Sequence, residues 1–143
     1  MIAIGCDHAG VKLKEVVKES LKKRSIECKD FGTYTEESVD YPDIAVEVAK
    51  SVASNETDKG ILICGTGIGM SIAANKVKGI RCALCHDEET ARLSKEHNNA
   101  NVIAVGARIL TEELVLKIVD TWLDAQFEER HQRRLDKISK LEN

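Results

Sequence analysis

Short apolar runs alternate regularly with longer amphipathic stretches along the whole chain, and this pattern limits the folds that the chain can adopt. The short runs have the length and β-branched content of strands, and the longer stretches have helical periodicity. Elements that alternate in this way form right-handed βαβ units, in which helices cover both faces of a parallel sheet. We therefore predict an α/β fold with a five-stranded parallel sheet. The predicted strands cover residues 2–6, 26–30, 60–64, 80–85 and 102–105.

The stretches between these strands carry recognisable helix starts. The first helix is predicted over 11–23, and Pro42 suits the first turn of the second helix. A third helix is predicted over 68–77. The fourth and fifth helices are predicted to begin at Asp87 and Thr111, because each is followed by two acidic residues that the helix dipole favours.

The chain shows no linker, repeat or low-complexity segment, so we expect one domain over residues 1–143. Its last segment is highly charged, and a final helix is predicted over about 128–141. The apolar stripe of this helix is thin, with Phe127, Leu135 and Ile138. Such a helix covers little core by itself, so we expect it to pack on a partner subunit.

The composition argues against several classes of partner. The net charge of −3 provides no electrostatic attraction to nucleic acid or to an anionic membrane. No apolar run approaches the roughly 18 residues that a membrane-spanning helix needs, and the N-terminal run lacks the pattern of a signal peptide. We therefore predict a cytoplasmic protein that binds neither nucleic acid nor membrane.

The five cysteines lie in or beside apolar runs, which is typical of free thiols in a reducing compartment. The string CALCH, from Cys82 to His86, matches the pattern of haem attachment. On a strand, however, Cys82 and Cys85 point to opposite faces, so one ligand does not easily engage both. We therefore predict neither haem nor zinc at this string.

The stretch CGTGIGMS, from Cys64 to Ser71, follows the third predicted strand. Its glycine spacing is not that of a dinucleotide-binding loop, no Lys-Ser or Lys-Thr pair follows, and Met70 stands where a phosphatase loop needs arginine. Two interpretations remain: a strand–loop–helix junction whose N–H groups stabilise an anion, or a tight turn required by packing. Cys64 is correspondingly an activated thiol, acting as nucleophile or base, or an inert core residue.

Other polar residues stand where an α/β sheet gathers ligands or where a helix ends. Asp7 and His8 follow the first strand, although Asp7 also suits the cap of the next helix. His97 and Asn98 end the helix before the fifth strand, where a histidine can also interact with the helix dipole.

Two arginines of the charged tail form a further candidate site. Arg130 and Arg134 are four residues apart and share one face of the predicted final helix. Such a pair can hold a phosphate through forked hydrogen bonds, or it can simply be solvated.

Taken together, these motifs resemble type B ribose-5-phosphate isomerases, whose wider family includes galactose-6-phosphate and allose-6-phosphate isomerases. The resemblance is carried by GCDHAG, DYPD, LICGTGIGMSIAANK, EHNNANV with GAR closely following, and RH..RR near the C-terminus, and it covers nearly the whole chain. It implies a three-layer Rossmann-like sandwich that works as a dimer or tetramer. It also implies the interconversion of ribose 5-phosphate and ribulose 5-phosphate without metal or nucleotide.

The resemblance further implies a role for individual residues. Cys64 would be the base that moves a proton between C2 and C1, and His97 would be the acid that opens the sugar ring. Asp7 and Thr66 would assist at the sugar hydroxyls. The remaining residues would bind substrate: Asn98 and the amides of Gly65, Gly67, Ile68 and Gly69 at the enediolate, Tyr41 at the sugar, and His8, Arg108, Arg130 and Arg134 at the phosphate.

We therefore expect a metal-independent aldose–ketose isomerase for ribose 5-phosphate, which works through an enediolate in a homo-oligomer with shared active sites. The residue types suit this chemistry, because it needs one base for a proton and fixed donors for a developing oxyanion. Two alternatives remain open. One is an isomerase of a hexose 6-phosphate such as allose or galactose 6-phosphate, and the other is a non-catalytic domain that binds a sugar phosphate.

Overall fold

The computed structural model of this protein describes residues 1–142, and its centre is one sheet of five parallel strands. The strands lie in the order β2-β1-β3-β5-β4. Their bounds are β1 (Ile2–Cys6), β2 (Cys28–Asp30), β3 (Lys59–Cys64), β4 (Cys82–Leu84) and β5 (Val102–Gly106). Cys6 is opposite Ile63, and Cys64 is opposite Gly106, so the three central strands end at the same edge.

Within residues 1–142, six α-helices connect or follow the strands. They are α1 (Val11–Lys23), α2 (Tyr41–Ala53), α3 (Ile68–Ala74), α4 (Glu88–Glu96), α5 (Glu112–Asp124) and α6 (Gln132–Ser139), with single 3-10 turns at His8–Gly10 and Glu129–His131. The helix starts predicted at Asp87 and Thr111 are confirmed. Asp87 forms a capping box with Thr90, and the Thr111 hydroxyl accepts a hydrogen bond from the Leu114 N–H at 3.1 Å.

The helices form two layers, so the predicted three-layer α/β sandwich is confirmed. On one face of the sheet, α1, α4 and α5 bury residues such as Val17, Ala91 and Ile118. On the other face, α2 and α3 bury residues such as Val48 and Met70. Because each layer covers one face of the central strands, the strands are apolar on both sides, as the sequence pattern required.

The two cysteines of the CALCH string lie on opposite faces of the sheet, as predicted. Cys85 is buried in the core beneath α1, α4 and α5, whereas Cys82 packs against the core beneath α2 and α3. All five cysteines are free thiols. Within residues 1–142, no helix combines the length and the apolar character that crossing a bilayer requires.

The predicted starts of two strands are wrong, because local hydrogen bonds bend the chain away from the sheet. β2 begins at Cys28 instead of residue 26, since Ser25 has a φ of 60° and the Ile26 N–H donates to the Leu21 carbonyl at the end of α1. β4 covers only 82–84 instead of 80–85, since the Ile80 N–H donates back to the carbonyl of Val77. β3 and β5 are each one residue longer than predicted.

Two helix boundaries also differ from the prediction. α3 ends at Ala74 instead of residue 77, because the Asn75 side chain bridges the Ser71 carbonyl and the Cys82 N–H, which ties the chain to β4. The C-terminal helix predicted over 128–141 is a 3-10 turn at Glu129–His131 followed by α6. Arg130 therefore lies in the turn and Arg134 in the helix, so they do not share one face of a single helix.

Candidate active site

The first group of candidate residues lies where the connections of two neighbouring strands leave in opposite directions. β1 and β3 are adjacent, and the chain continues from β1 to β2 on one side and from β3 toward β4 and β5 on the other. Such a switch point opens a crevice at the carboxyl ends of the strands, where ligands of open α/β sheets bind. Asp7 and Cys64 both lie there, and the Asp7 N–H donates to the Ile63 carbonyl at 3.0 Å.

Cys64 ends β3 and is held by the loop that follows it. Its side chain is only 5 % exposed, and its sulfur accepts a hydrogen bond from the Gly67 N–H at 3.1 Å. Gly67 has a φ of 82°, a left-handed conformation that glycine adopts without strain. In residues 1–142, no acceptor meets the N–H groups of Gly69 and Met70 at the start of α3. The loop thus combines a thiol, a donor to its sulfur and two amides that remain free for an anion.

Two large side chains enclose this loop, and the glycines leave room for them. A Cβ atom at Gly69 would lie 2.5 Å from ring carbons of Tyr41, which begins α2. A Cβ atom at Gly65 would lie 3.2 Å from the guanidinium of Arg108. Gly69 is therefore required by its contact with Tyr41, whereas a side chain at Gly65 would need only a small shift of the Arg108 guanidinium. The packing interpretation of the loop thus applies at Gly69.

Asp7 and His8 both present polar atoms at this edge. One carboxylate oxygen of Asp7 accepts from the Ala9 N–H at 2.9 Å, so Asp7 is a cap as the alternative reading predicted. His8 Nδ1 accepts a hydrogen bond from the Val39 N–H at 3.2 Å. An acceptor at Nδ1 means that the proton of the neutral ring is on Nε2, which is therefore a donor for an anion.

The second group of candidate residues lies at the opposite edge of the sheet. His97 is the C-cap of α4, five residues before β5 begins at Val102, which is opposite Gly60 at the start of β3. Strands rise about 3.3 Å per residue, so four residues of β3 separate this edge from Cys64 by about 13 Å. Asn98 is beside His97, and its carbonyl accepts from Arg81 Nε at 3.1 Å. The structure therefore does not bring His97 and Asn98 to the thiol of their own chain.

The charged tail joins His97 at this second edge. The Glu128 N–H donates to the Glu96 carbonyl at 2.9 Å, and the rings of His131 and His97 are 4.4 Å apart between centroids. Arg130 donates to the Glu128 carboxylate at 2.8 Å, which lowers the pKa of that carboxyl. Arg134, in α6, donates to Nδ1 of His131 at 2.9 Å.

His97, Glu128 and His131 are also the group that most resembles a metal site, since their donor atoms lie within 4.8 Å of one another. A single zinc ion needs its nitrogen and oxygen ligands at about 2.0–2.2 Å, so these atoms would have to approach one another. Two arginines also flank the group: Arg130 donates a hydrogen bond to the Glu128 carboxylate, and Arg134 donates one to Nδ1 of His131. The charges at this edge therefore favour an anion over a cation.

The predicted site residues thus fall into two groups. At the carboxyl edge the structure brings together Asp7, His8, Tyr41, Cys64, Gly65, Thr66, Gly67, Ile68, Gly69 and Arg108. At the other edge it brings together His97, Asn98, Arg130 and Arg134. Sequence reasoning overlooked Glu128 and the burial of His131, although the spacing of residues 128, 131 and 134 places them on neighbouring turns.

The fold is that of a Rossmann-like α/β protein, with a thiol-bearing glycine loop at its switch point. Residues 2–138 match the model of the ribose/galactose isomerase family. Ribose-5-phosphate isomerase B of Escherichia coli (strain K12) is 50% identical over 142 residues, which cover 99% of this chain and 95% of that protein. This chain therefore belongs to the ribose/galactose isomerase family, which confirms the resemblance found in its sequence.

Solved structures agree with this assignment. Ribose-5-phosphate isomerase B from Clostridium thermocellum matches with a TM-score of 0.97 and 54% identity, over 99% of this chain and 96% of that chain. Ribose-5-phosphate isomerase B from Mycoplasma genitalium, solved with bound ribulose-5-phosphate, matches with a TM-score of 0.94 and 46% identity, over 99% of this chain and 95% of that chain.

Proposed function

We propose that this protein is a ribose-5-phosphate isomerase in which Cys64 is the base. The observation that carries the proposal is the position of the Cys64 sulfur, which lies at the switch point inside a loop with free amides. Membership of the family and the similarity to a structure with bound ribulose-5-phosphate support the choice of reaction.

The reaction moves one proton between neighbouring carbons and needs no external electron acceptor. In the open-chain sugar, the Cys64 thiolate removes the proton from C2 and returns it to C1, while a hydroxyl proton moves from O2 to O1. The enediolate formed between these steps carries negative charge next to the loop, where the Gly69 and Met70 amides are free to donate. In other enzymes the loss of one such donor costs about 3–4 kcal/mol of transition-state stabilisation.

Two side chains are assigned to the hydroxyl proton. The Thr66 hydroxyl is exposed and accepts from the Ile68 N–H at 3.2 Å, which leaves its own O–H free to donate. Asp7 uses one carboxylate oxygen as a cap, which leaves the other as an acceptor. Both groups lie on the same edge as Cys64.

The substrate phosphate is assigned to cationic and donor groups. His8 offers its Nε2–H, as deduced from the Val39 contact, and Arg108 forms no ion pair with a carboxylate in the described chain. Binding energy from a phosphate remote from C1 and C2 can be used to hold these carbons over the thiol.

We further propose that each active site is shared between two copies of the chain. His97, Asn98, Arg130 and Arg134 have the chemistry that the reaction still lacks, but they lie at the edge remote from Cys64 of their own chain. A second copy can supply them to the thiol edge of the first. Apolar side chains that suit such an interface are exposed beside the loop, where Ile68 is 50% and Ile72 59% exposed.

The role assigned to His97 is to open the sugar ring. Ribose 5-phosphate is mainly a closed furanose, whereas ribulose 5-phosphate has its C5 hydroxyl blocked by phosphate and stays open. A proton donor at the ring oxygen is therefore needed before the base can act on ribose 5-phosphate. The tail supplies Arg130 and Arg134 from the same edge, and on this proposal α6 packs on the partner subunit.

A mixing experiment tests the base and the shared site together. Cys64→Ala and His97→Asn are each expected to lose most of the turnover of ribose 5-phosphate. Refolding the two variants together in equal amounts is expected to restore about a quarter of the wild-type activity, since half of the symmetric dimers are mixed and each has one intact site. Activity is measured as ribulose 5-phosphate formed, in protein treated with EDTA.

The matched control mixes Cys64→Ala with Asp7→Asn, two changes at the same edge of the chain. Every site in that mixture lacks one of the two groups, so no activity should return. Recovery in the control, or no recovery in the first mixture, would refute the shared site. Full activity of Cys64→Ala alone would refute the base, and loss of wild-type activity on chelation would refute a metal-independent reaction.

The same assay compares ribose 5-phosphate with allose 6-phosphate and galactose 6-phosphate, which are the alternative substrates. We expect the highest kcat/KM for ribose 5-phosphate, because the cysteine, both histidines and the arginine pair occur in one chain. The five free thiols suit a reducing compartment, and we place the enzyme in the cytoplasm.

A further inference from the structure

His131 is a buried histidine that the reaction described above does not use. Its side chain stands in the 3-10 turn before α6 and the residue is only 7% exposed. It contacts both kinds of group assigned to the second edge, since it stacks against the ring of His97 and accepts from Arg134.

The hydrogen bond from Arg134 fixes the protonation of this ring. A guanidinium has donors only, so Nδ1 of His131 must have its lone pair free, and the neutral ring carries its proton on Nε2. Nε2 is buried and has no hydrogen-bond partner within residues 1–142. A buried donor without a partner is uncommon in native proteins and calls for a functional or structural reason.

The groups around His131 disfavour its protonated form. Arg130 and Arg134 are positive, and His97 becomes positive when protonated. Glu128 is negative, and one oxygen of its carboxylate is 3.8 Å from Nε2. Burial is the largest cause that lowers the pKa of His131, and the neighbouring cations lower it further. Protonation would also replace the acceptor at Nδ1 by an N–H that faces the Arg134 donor.

We propose that His131 is a positioning residue that must remain neutral, because its Nδ1 orients Arg134 for the substrate phosphate and its ring supports His97. On acidification the ring gains a proton at Nδ1, the hydrogen bond from Arg134 is lost, and the guanidinium is released from its binding orientation. This inference rests on the proposed function, in which Arg134 binds the phosphate and His97 opens the ring.

Two substitutions separate the acceptor from the ring. In His131→Asn, the amide oxygen takes approximately the place of Nδ1, so it accepts from Arg134 but does not titrate. In His131→Phe, the ring against His97 remains but the acceptor is lost. His86→Asn is the control, since His86 is exposed and follows β4, at the edge of the sheet opposite to His97 and His131.

The measurements are KM and kcat for ribose 5-phosphate between pH 5 and pH 7.5. At pH 7.5, His131→Phe is expected to raise KM about tenfold, the size of one charge-assisted hydrogen bond, with a smaller change in kcat. His131→Asn should keep a KM near that of the wild type. Below pH 6.5 the KM of the wild type should rise more steeply than that of His131→Asn, while His86→Asn follows the wild type.

The comparison isolates His131, because all other side chains and the substrate are the same in the wild type and in His131→Asn. An unchanged KM in His131→Phe would overturn the proposal, as would an acid rise of KM in His131→Asn as steep as in the wild type. If His131→Phe does not fold, the acid rise of KM is still compared between the wild type and His131→Asn, and this comparison tests the proposal by itself.

A binding measurement keeps this inference distinct from the proposed function. Thermal stabilisation by ribose 5-phosphate is measured in a Cys64→Ala background, with and without His131→Phe, so that turnover is not involved. Weaker stabilisation with His131→Phe supports the positioning role even if the wild type proves not to be an isomerase. Equal stabilisation in the two proteins overturns it, even if the wild type is an active isomerase.

Discussion

Gly106 ends β5 directly beside the Cys64 loop, and its replacement by alanine tests how accurately the loop must lie for the proposed reaction. A Cβ atom at Gly106 would be 2.7 Å from the Cα, C and O atoms of Thr66. Ordinary contacts begin at 3.4 Å, so β5 and the loop would have to separate by about 0.7 Å. The atoms in the way belong to the backbone, so no side-chain rotation can relieve the contact.

The loop cannot move freely, because two hydrogen bonds fix it to the chain after β5. The Ala107 N–H donates to the Cys64 carbonyl at 2.8 Å, and the Arg108 N–H donates to the Gly65 carbonyl at 2.9 Å. Overpacking of this kind costs about 1–3 kcal/mol of folding stability. A misplacement approaching 1 Å can reduce a rate about 100-fold, so we expect kcat of Gly106→Ala to fall about 10- to 100-fold.

The matched control is Gly60→Ala, at the opposite end of β3. There the new Cβ atom would be 2.9 Å from Val48 Cγ1, so it also overpacks the core but faces α2 instead of the loop. Both variants should lose similar free energy of unfolding in urea, while only Gly106→Ala loses kcat for ribose 5-phosphate. Equal kcat losses in the two variants, or wild-type kcat in Gly106→Ala, would refute the reasoning.

Two further predictions concern a buried ion pair and the reactivity of the thiols. Burial raises the pKa of Asp30, but hydrogen bonds from Lys14 and Lys18 outweigh this and lower it, so the stabilisation by this carboxylate is present above about pH 4 and lost below it. Asp30→Asn leaves the ammonium of the fully buried Lys14 without its carboxylate. The free energy of unfolding in urea should therefore fall by about 3 kcal/mol at pH 7 and by clearly less at pH 3. An equal loss at the two pH values would contradict this. Iodoacetamide at pH 7.5 should modify Cys64 first, because the Gly67 N–H donates to its sulfur, whereas burial raises the pKa values of the other four thiols. Peptide mass spectrometry checks the order, and earlier labelling of another cysteine would contradict it.

The strand and helix pattern was readable from the sequence because its signals are local. The spacing of apolar residues, the capping residues and the glycines determine secondary structure within a few positions along the chain. The starts of α4 and α5 are therefore predicted correctly from Asp87 and Thr111. The errors occur where a contact from a distant segment decides the boundary. The end of α3 is an example, because the Asn75 side chain reaches the first residue of β4.

The candidate site was predictable in part for the same reason. Residues that follow strands of a parallel sheet meet at one edge, which correctly grouped Asp7, His8 and the Cys64 loop. The same rule implies that the ends of the helices meet at the other edge, and it therefore separates His97 from Cys64 in one chain. The contacts of Tyr41 with Gly69 and of Arg108 with Gly65 join distant segments, and no local signal predicts them.

The class of fold, the thiol-bearing glycine loop and the family can all be identified from the sequence, since each depends on residues that are neighbours in the chain. The three-dimensional fold sets which residues share an edge, because the loops after parallel strands and the ends of the connecting helices lie at opposite edges of the sheet. It also decided the state of His131, since burial and an arginine donor together keep that ring neutral. The cysteine and the histidine of the proposed reaction are both visible in the sequence, but their separation across the sheet is what points to a second subunit.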